Sequence, residues 1–528
     1  MEKRLIIAMA LSLLVVLAFQ KLTPKPEIRQ PQIETSSKEG NPLQGTTSER
    51  TKSYSDAQKW PETLTEINTE KQKIVFSDVG AGVKSMSLNQ YLDKGEKEQL
   101  FDRKRPEERL FSMKSSLVPD FETKKYEKKQ GNNFIEYRLE EPGFFEITKK
   151  YTILEDSEYI DLKITVKNTT AAKIDFFYDI VGPSGLETTS KIDGRNFLEA
   201  ITMLDEKKVK LKDAKGEEER QGKADWVGLK NRYFTVIVKP FMETRAVRLK
   251  HTMDKALQIE LSHPSFVLDP GTDREAQYLL YAGPMKQEEL EKSGYGLEKI
   301  IDYGFFGVVS KTLLSAMGFF YKITKNWGIA IILLTILINL VLFPLTHKSF
   351  MSMHQMRKVQ PHIQKLKDLH KDNPHKLNKE TMELYRKHNV NPLGGCLPML
   401  IQMPIFIALY QGLLRSVSLK GAKFLWIKDL AKPDAVPLPF SLPFLGDHIN
   451  ILPLVMVALM ACQQKISQGL TPGAMTQEQA SQQKMMMLLM PLLFGFLFYK
   501  MPSGLVLYWV TNTLLMTVEQ GVISKKME

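Results

Sequence analysis

The side chains that could do chemistry in this chain are the polar ones that interrupt its long apolar runs. Thr335 and Asn339 lie four apart within the run Gly328–Leu345, so a helix would place both on one face. Gln402 and Gln411 fall in the next run. Tyr508 and Asn512, again four apart, fall in the last, beside Trp509, Thr511 and Thr513. In hydrocarbon such groups are costly, and they normally face a bundle interior or a water-filled cavity. Two chemistries fit: hydrogen bonding from helix to helix, modest in strength, or a shared groove that holds water. Their recurrence in several runs favours the groove.

Other chemistries find little support. No Asp, Glu, Lys, Arg or His stands in the middle of an apolar run, which weighs against an ion-coupled transporter. Walker loops, GxSxG elbows, HExxH pairs and metal-spaced Cys/His clusters are absent from the sequence. His251 and His263 have no carboxylate at a telling spacing. The expectation is therefore a protein that is not an enzyme and needs no metal, nucleotide or other cofactor.

Around these residues the chain divides in two. Its 528 residues carry a formal net charge of +12, a pI of about 9.2 and a mean hydropathy of −0.22. That mean hides a polar half, residues 21–300, and a half from Gly328 onward in which apolar runs alternate with basic ones. Basic residues beside apolar runs point to a membrane protein with basic cytoplasmic loops, not to specific nucleic-acid binding. The two cysteines, Cys396 and Cys462, both lie in apolar runs, so no disulfide framework holds the polar half.

Met1-Glu2-Lys3-Arg4 precedes the apolar run Leu5–Phe19. A cleaved signal peptide and a retained anchor both fit, but Leu17-Ala18-Phe19-Gln20 makes a poor cleavage site, so an anchor over 1–20 with a cytoplasmic start is expected. Residues 21–70 read as a disordered linker. From 71 to 284 the pattern is β. Ile160, Leu162, Ile164 and Val166 alternate with Asp161, Lys163, Thr165 and Lys167, and Phe234–Val238 is apolar on both faces. This predicts an all-β sandwich, external to the membrane on the periplasmic side.

Between 297 and 325, Val308, Val309, Thr312, Leu313, Ala316, Met317 and Phe320 recur at helical spacing, as in a helix lying in the membrane interface. Five spans follow, at 326–345, 393–417, 449–464, 484–500 and 503–523. Several are short for a hydrocarbon core of roughly 30 Å. With the anchor the count is six, an all-α membrane domain with both termini in the cytoplasm. The connection 346–392 carries Lys358, Lys365, Lys367, Lys371 and Lys376 among its many bases, placing it inside. Met353, Met356, Val359, Ile363, Leu366 and Leu369 predict one helix there, and Asn378 a cap for a second ending near Lys387. That hairpin's apolar face is either an adaptable contact surface or the hairpin's own seam. Residues 418–448 and 465–483 are the periplasmic and cytoplasmic loops between later spans.

Particular runs in this half resemble the YidC/Oxa/Alb membrane protein insertases: Asn326-Trp327-Gly328, Phe343-Pro344-Leu345-Thr346, Asn391-Pro392-Leu393-Gly394-Gly395-Cys396-Leu397-Pro398 continuing through Gln402–Phe406, and Pro502–Trp509. They extend over about Leu297–Ser524, and the sandwich behind an N-terminal anchor resembles the Gram-negative branch. The resemblance implies a groove among the last five spans, open to cytoplasm and lipid and closed towards the periplasm, through which nascent membrane proteins enter the bilayer, alone or with the Sec translocon. It implies that Thr335, Gln402, Tyr508 and Trp509 line the groove, and that the 346–392 hairpin meets a ribosome, a signal-recognition receptor or the nascent chain. Where the family commonly carries a positive residue, this chain has Asn339, so a hydrated groove is expected in place of charge attraction. The rival readings are a transporter or channel with a large periplasmic domain and an enzyme on a sugar-binding sandwich.

Overall fold

The computed structural model describes residues 61–527, save 94, 116, 119, 155, 188–196, 212–216, 371–372, 389–396, 443–445 and 470–476. The expected anchor, most of the linker, Lys371 and the Asn391–Cys396 run lie outside the described residues.

A β-rich region runs from Leu64 to Pro284. Its largest sheet has nine antiparallel strands, in the order Lys207–Leu211, Glu199–Leu204, Ala224–Lys230, Phe234–Pro240, Asp273–Pro284, Tyr159–Asn168, Phe145–Ile153, Phe134–Glu141 and Glu127–Gln130. A five-stranded sheet built around Ala246–His251, Leu257–Ser262 and Asp179–Ser184 packs on it. A Cβ on Gly182 of the smaller sheet would be in ordinary contact with Val227 of the larger. Along Tyr159–Asn168 the alternation is as expected, with Ile160, Leu162, Ile164 and Val166 buried and Asp161, Lys163 and Thr165 half-buried. Every side chain of Phe234–Val238 is buried. A four-stranded sheet, Leu64–Asp102, covers one end. It is tied on by the fully buried Lys149, whose amine donates to the carbonyls of Gly80 and Phe111 at 2.8 Å each. Burial pulls that amine down to about 7.

Helices make up most of the remainder: α1 Gly307–Thr324, α2 Trp327–Leu369, α3 Pro374–Lys387, α4 Leu397–Arg415, α5 Ile451–Gly469, α6 Gln477–Phe498 and α7 Ser503–Met527. The Asn326 side chain caps α2 by accepting from the N–H groups of Gly328 (2.9 Å) and Ile329 (3.2 Å). The helix then runs 43 residues through Pro344 and Pro361, so the first expected span and the first hairpin helix are one rod. Its segment Trp327–Ser352 is, among the described residues, the one helix long and apolar enough to cross a membrane; Leu400–Arg415, Ile451–Ile466 and Leu489–Phe498 are shorter apolar helices.

Two local expectations need correction. Helix α3 begins at Pro374, capped by Asn373 accepting from the Lys376 N–H, and not at Asn378: proline at the first helical position costs no hydrogen bond and fixes φ. The helix expected over 297–325 starts only at Gly307, after a turn in which Asp302 accepts from the Gly304 N–H. Leu313, Ala316, Met317 and Phe320 of the expected apolar face pack on the bundle together with Ser310 and Leu314, which closely approach Gly412 of α4, while Val308, Val309 and Thr312 are exposed. Both faces of α1 are apolar, so periodicity alone did not say which one meets protein.

Candidate functional site

Helices α2 and α7 lie side by side and run parallel, and their polar residues meet in register. Asn339 Nδ2 donates to Asn512 Oδ1 at 2.9 Å and to the Thr335 carbonyl at 2.8 Å. Seven residues further along both helices, Thr346 Oγ1 donates to Glu519 Oε1 at 2.6 Å. Both pairs are separated by 173 residues in sequence, and so are Thr335 and Tyr508, one turn back. The two helices thus carry a ladder of polar positions with the same spacing, spread over about 16 Å of helix at 1.5 Å per residue.

The rungs differ. Thr335 is fully buried and its hydroxyl donates back to Ile331 at 2.7 Å, satisfying itself within α2. Tyr508, also fully buried, receives a hydrogen bond from Gln402 Nε2 of α4 at 2.5 Å. Asn512 is nearly buried. Trp509 sits among Phe406, Phe494 and Phe498, with ring centroids 4.9, 5.6 and 5.3 Å away, and closes the side where α4 and α6 converge. Gln411 is not part of this group. It lies at the end of α4 near the β-rich region, where its side-chain oxygen accepts from Arg415 one turn on.

A cleft of about 540 Å³ opens between α2 and α7 beyond Asn339. Leu340, Phe343, Leu515 and Val518 make its walls, and Asn339, His347 and Glu519 are its polar points. Sequence reasoning missed Thr346, His347 and Glu519 because it looked for polar groups only within the most apolar stretches. A signal was there: Thr335-Asn339-Thr346 and Tyr508-Asn512-Glu519 share the steps +4 and +7.

At the opposite end the bundle is closed over. The connection after α4 crosses the starts of α2, α5 and α7, burying Val417, Leu419, Ile427 and Leu430. Phe424 lies so close to α2 that a Cβ on Gly328 would come within 2.2 Å of its ring, so only glycine fits there. Asp434 Oδ2 caps α5 from a distance, accepting from Ile451 and Leu452 at 2.8 and 2.9 Å. Gly504 N–H of α7 donates to Leu430 O at 2.9 Å. The β-rich region docks on this end through a buried ion pair between Lys420 and Glu98, and through Arg232 Nε donating to the Leu414 carbonyl at 2.8 Å.

In the hairpin, Val359 and Ile363 are buried with Met356 against Leu384 and Tyr385, so those residues form its own seam. His370 Nε2 meets Glu380 Oε2 at 2.9 Å. Lys358, Lys365 and Lys376 are exposed and Lys367 half-buried. In the β-rich region the buried His263 is partnered by a tyrosine and a carbonyl. Nδ1–H donates to Glu243 O (3.0 Å), Nε2 accepts from Tyr278 OH (2.7 Å), and burial lowers its pKa. No group of three or more metal-ligating side chains occurs among the described residues.

Two family models match the chain. One, the YidC periplasmic domain, covers residues 64–316, and the other, described as 60Kd inner membrane protein, covers 319–528. The membrane protein insertase YidC of Geotalea uraniireducens is 33% identical over 562 aligned positions, covering 100% of both chains. That of Geobacter metallireducens is 31% identical, covering 99% of this chain and 98% of the relative. A crystal structure of an active YidC insertase with its first transmembrane domain resolved matches 87% of this chain and 94% of its own, at 18% identity and a TM-score of 0.36. On the full-length sequence relatives and the two family models, the chain belongs to the YidC family of membrane protein insertases.

Proposed function

We propose that this protein inserts nascent membrane proteins into the bacterial inner membrane through the cleft between α2 and α7. In this reading the anchor and helices α2, α4, α5, α6 and α7 span the bilayer, both termini and the α2–α3 hairpin are cytoplasmic, and the β-rich region is a periplasmic sandwich. The observation that carries the reading is the polar ladder ending in the cleft. A substrate's polar flank entering from the cytoplasmic end meets Glu519, His347 and Asn339 before it meets hydrocarbon, and so loses less hydration. Its apolar segment slides out along Leu340 and Phe343. No covalent step is involved.

The ladder also explains what Asn339 does without a charge. It spends its amide on Asn512 and the Thr335 carbonyl, holding α2 and α7 together at the inner limit of the cleft. The exposed Lys358, Lys365 and Lys376, with Lys367 and Lys371, are the contact for a ribosome, a targeting receptor or the nascent chain, and the Sec translocon is a second partner. The test is photo-crosslinking of ribosome-bound nascent membrane proteins from probes at Leu340 and Phe343, with Val308 as the control outside the cleft. Crosslinks from the first two and not the third support the reading. None from the cleft, or equal crosslinking from Val308, overturns it.

A further inference from the structure

The connection after α4 ends in a feature that water alone would not select. Phe424 N–H donates to Ile427 O at 3.0 Å and Ile427 N–H to Phe424 O at 2.8 Å, so Leu425 and Trp426 are the two central residues of a tight hairpin turn. Turns of this kind favour glycine, asparagine and aspartate, because positive φ is cheap for them. Here Leu425 holds φ +51° and is 75% exposed, with Trp426 43% exposed beside it. A bulky side chain held in that backbone region is strained, and such strain persists only where the surroundings enforce it.

The surroundings do enforce it. Phe424 fills the notch over Gly328, and Ile427 is buried. Asp429 Oδ1 accepts from the N–H groups of Gly421 (3.0 Å) and Ala431 (2.9 Å). The Trp426 indole N–H donates to Asp434 Oδ2 at 3.2 Å, the same oxygen that caps α5. The tip is therefore rigid and presents two large apolar surfaces outward. Exposed Lys423 and Lys428 flank it. Phe424, which leads into the turn, meets Gly328 at the start of the apolar segment of α2, beside Trp327, which stacks on Tyr321 at 4.0 Å. Aromatic rings with lysines beside them are the usual composition of the zone between acyl chains and headgroups.

We propose that the Leu425–Trp426 turn is a lipid anchor: it enters the outer leaflet at the boundary of headgroups and acyl chains, with Lys423 and Lys428 reaching the lipid phosphates. The inference rests on the membrane-spanning reading above. It gives the closed end of the bundle a fixed depth in the bilayer, set by an element that lines no part of the cleft.

The experiment uses the full chain with Cys396 and Cys462 replaced by serine. It is labelled with an environment-sensitive fluorophore at Leu425→Cys, Val341→Cys or Met253→Cys and reconstituted in vesicles of phosphatidylethanolamine and phosphatidylglycerol. Val341 is exposed in the middle of the α2 segment and Met253 is exposed on the β-rich region. The expected result is a blue-shifted emission at Leu425, quenched more by a nitroxide near the carbonyl end of the acyl chain than by one at its methyl end. Val341 should show the reverse order and Met253 neither. A probe at Leu425 as unquenched as that at Met253, with Val341 still quenched, overturns this inference alone. Stronger quenching at Leu425 by the methyl-end nitroxide overturns the interfacial placement. Loss of quenching at Val341 as well brings down the membrane-spanning reading and this inference with it.

Discussion

The β-rich region and the helical bundle handle polar groups in opposite ways. The first buries charges and pairs them. Arg109 meets Glu62 at 2.8 Å, and Glu260, which burial alone would raise, is held below the usual carboxylate range by Lys114 and Lys250 at 2.5 and 2.6 Å. Its exposed apolar side chains are mostly dispersed, with Phe241 and Tyr295 meeting at 5.4 Å. In the bundle, exposed apolar residues run in bands such as Ile336, Leu337, Leu340 and Val341. Among the described residues, the bonds between α2, α4 and α7 come from neutral amides and hydroxyls, with one carboxylate, Glu519, at the mouth of the cleft. The difference teaches which solvent each half was built for: water rewards a charged surface over a dry core, and lipid rewards the reverse, with polarity kept inside.

The junction should break most dramatically. Removing one partner of a buried ion pair leaves the other charge uncompensated, at a cost of about 3–5 kcal/mol. Glu98→Ala should therefore destabilise the docking of the two halves by that order, read as earlier unfolding and faster proteolysis between them. Adding Lys420→Met should recover most of the loss. A single substitution without effect would mean that the two halves touch but do not depend on each other.

Lys149 tests the watery half. Its folded amine sits at about 7, and an unfolded lysine near 10.4. Between these values the unfolded chain binds the extra proton, so stability should rise with pH across that window, by at most about 1.4 kcal/mol per pH unit for one proton. Lys149→Met should remove that part of the slope. The check is the denaturant midpoint of the β signal near neutral pH and near pH 9.5, parent against variant.

Within the bundle, a double-mutant cycle on Asn339→Leu and Asn512→Leu should give a coupling of about 0.6 kcal/mol and no more than about 1.7 kcal/mol, the range found between membrane helices. Asn339→Leu should also slow insertion. Unchanged insertion with full coupling would leave the pair a purely structural clasp. The smallest effect concerns Glu519. With the Glu519 carboxylate and, among the described lining residues, no lysine or arginine at the cleft, acidic tails should insert more slowly than neutral ones by no more than about fivefold, the scale of an exposed charge interaction of up to about 1 kcal/mol, and Glu519→Gln should bring the two rates together. Reconstituted insertion of one single-span substrate with its tail charge varied measures both.

What was legible in the sequence follows the same division. Two-residue alternation marked the strand Tyr159–Asn168 because one of its faces meets water and the other the core. In the bundle, hydropathy located the apolar centres of helices but not their extents. Helix α2 runs on past Leu345 into basic sequence and α7 a further turn past residue 523 to Met527, since a helix leaving lipid changes composition without changing backbone. Single-residue reasoning picked out Asn339 and Asn512 separately. Their pairing needed the common offset, which is visible only when two runs are laid side by side. Gln411 looked like Gln402 by composition, and position along α4 separates them: one lies beside Tyr508, the other beside Arg415.

The offset of 173 residues also has a meaning in time. Helix α2 is synthesised long before α7, and everything between them must emerge first. Until the last helix arrives, Asn339 has no Asn512 and Thr346 no Glu519, and the wall of the cleft formed by Leu515 and Val518 does not exist. Contacts between distant segments form late because the intervening chain must first be ordered. A chain that stops before Ser503 therefore holds half a groove, with its polar rungs turned to lipid or to whatever helix is near. On the proposed reading, each new copy completes its groove only once its last helix is in place.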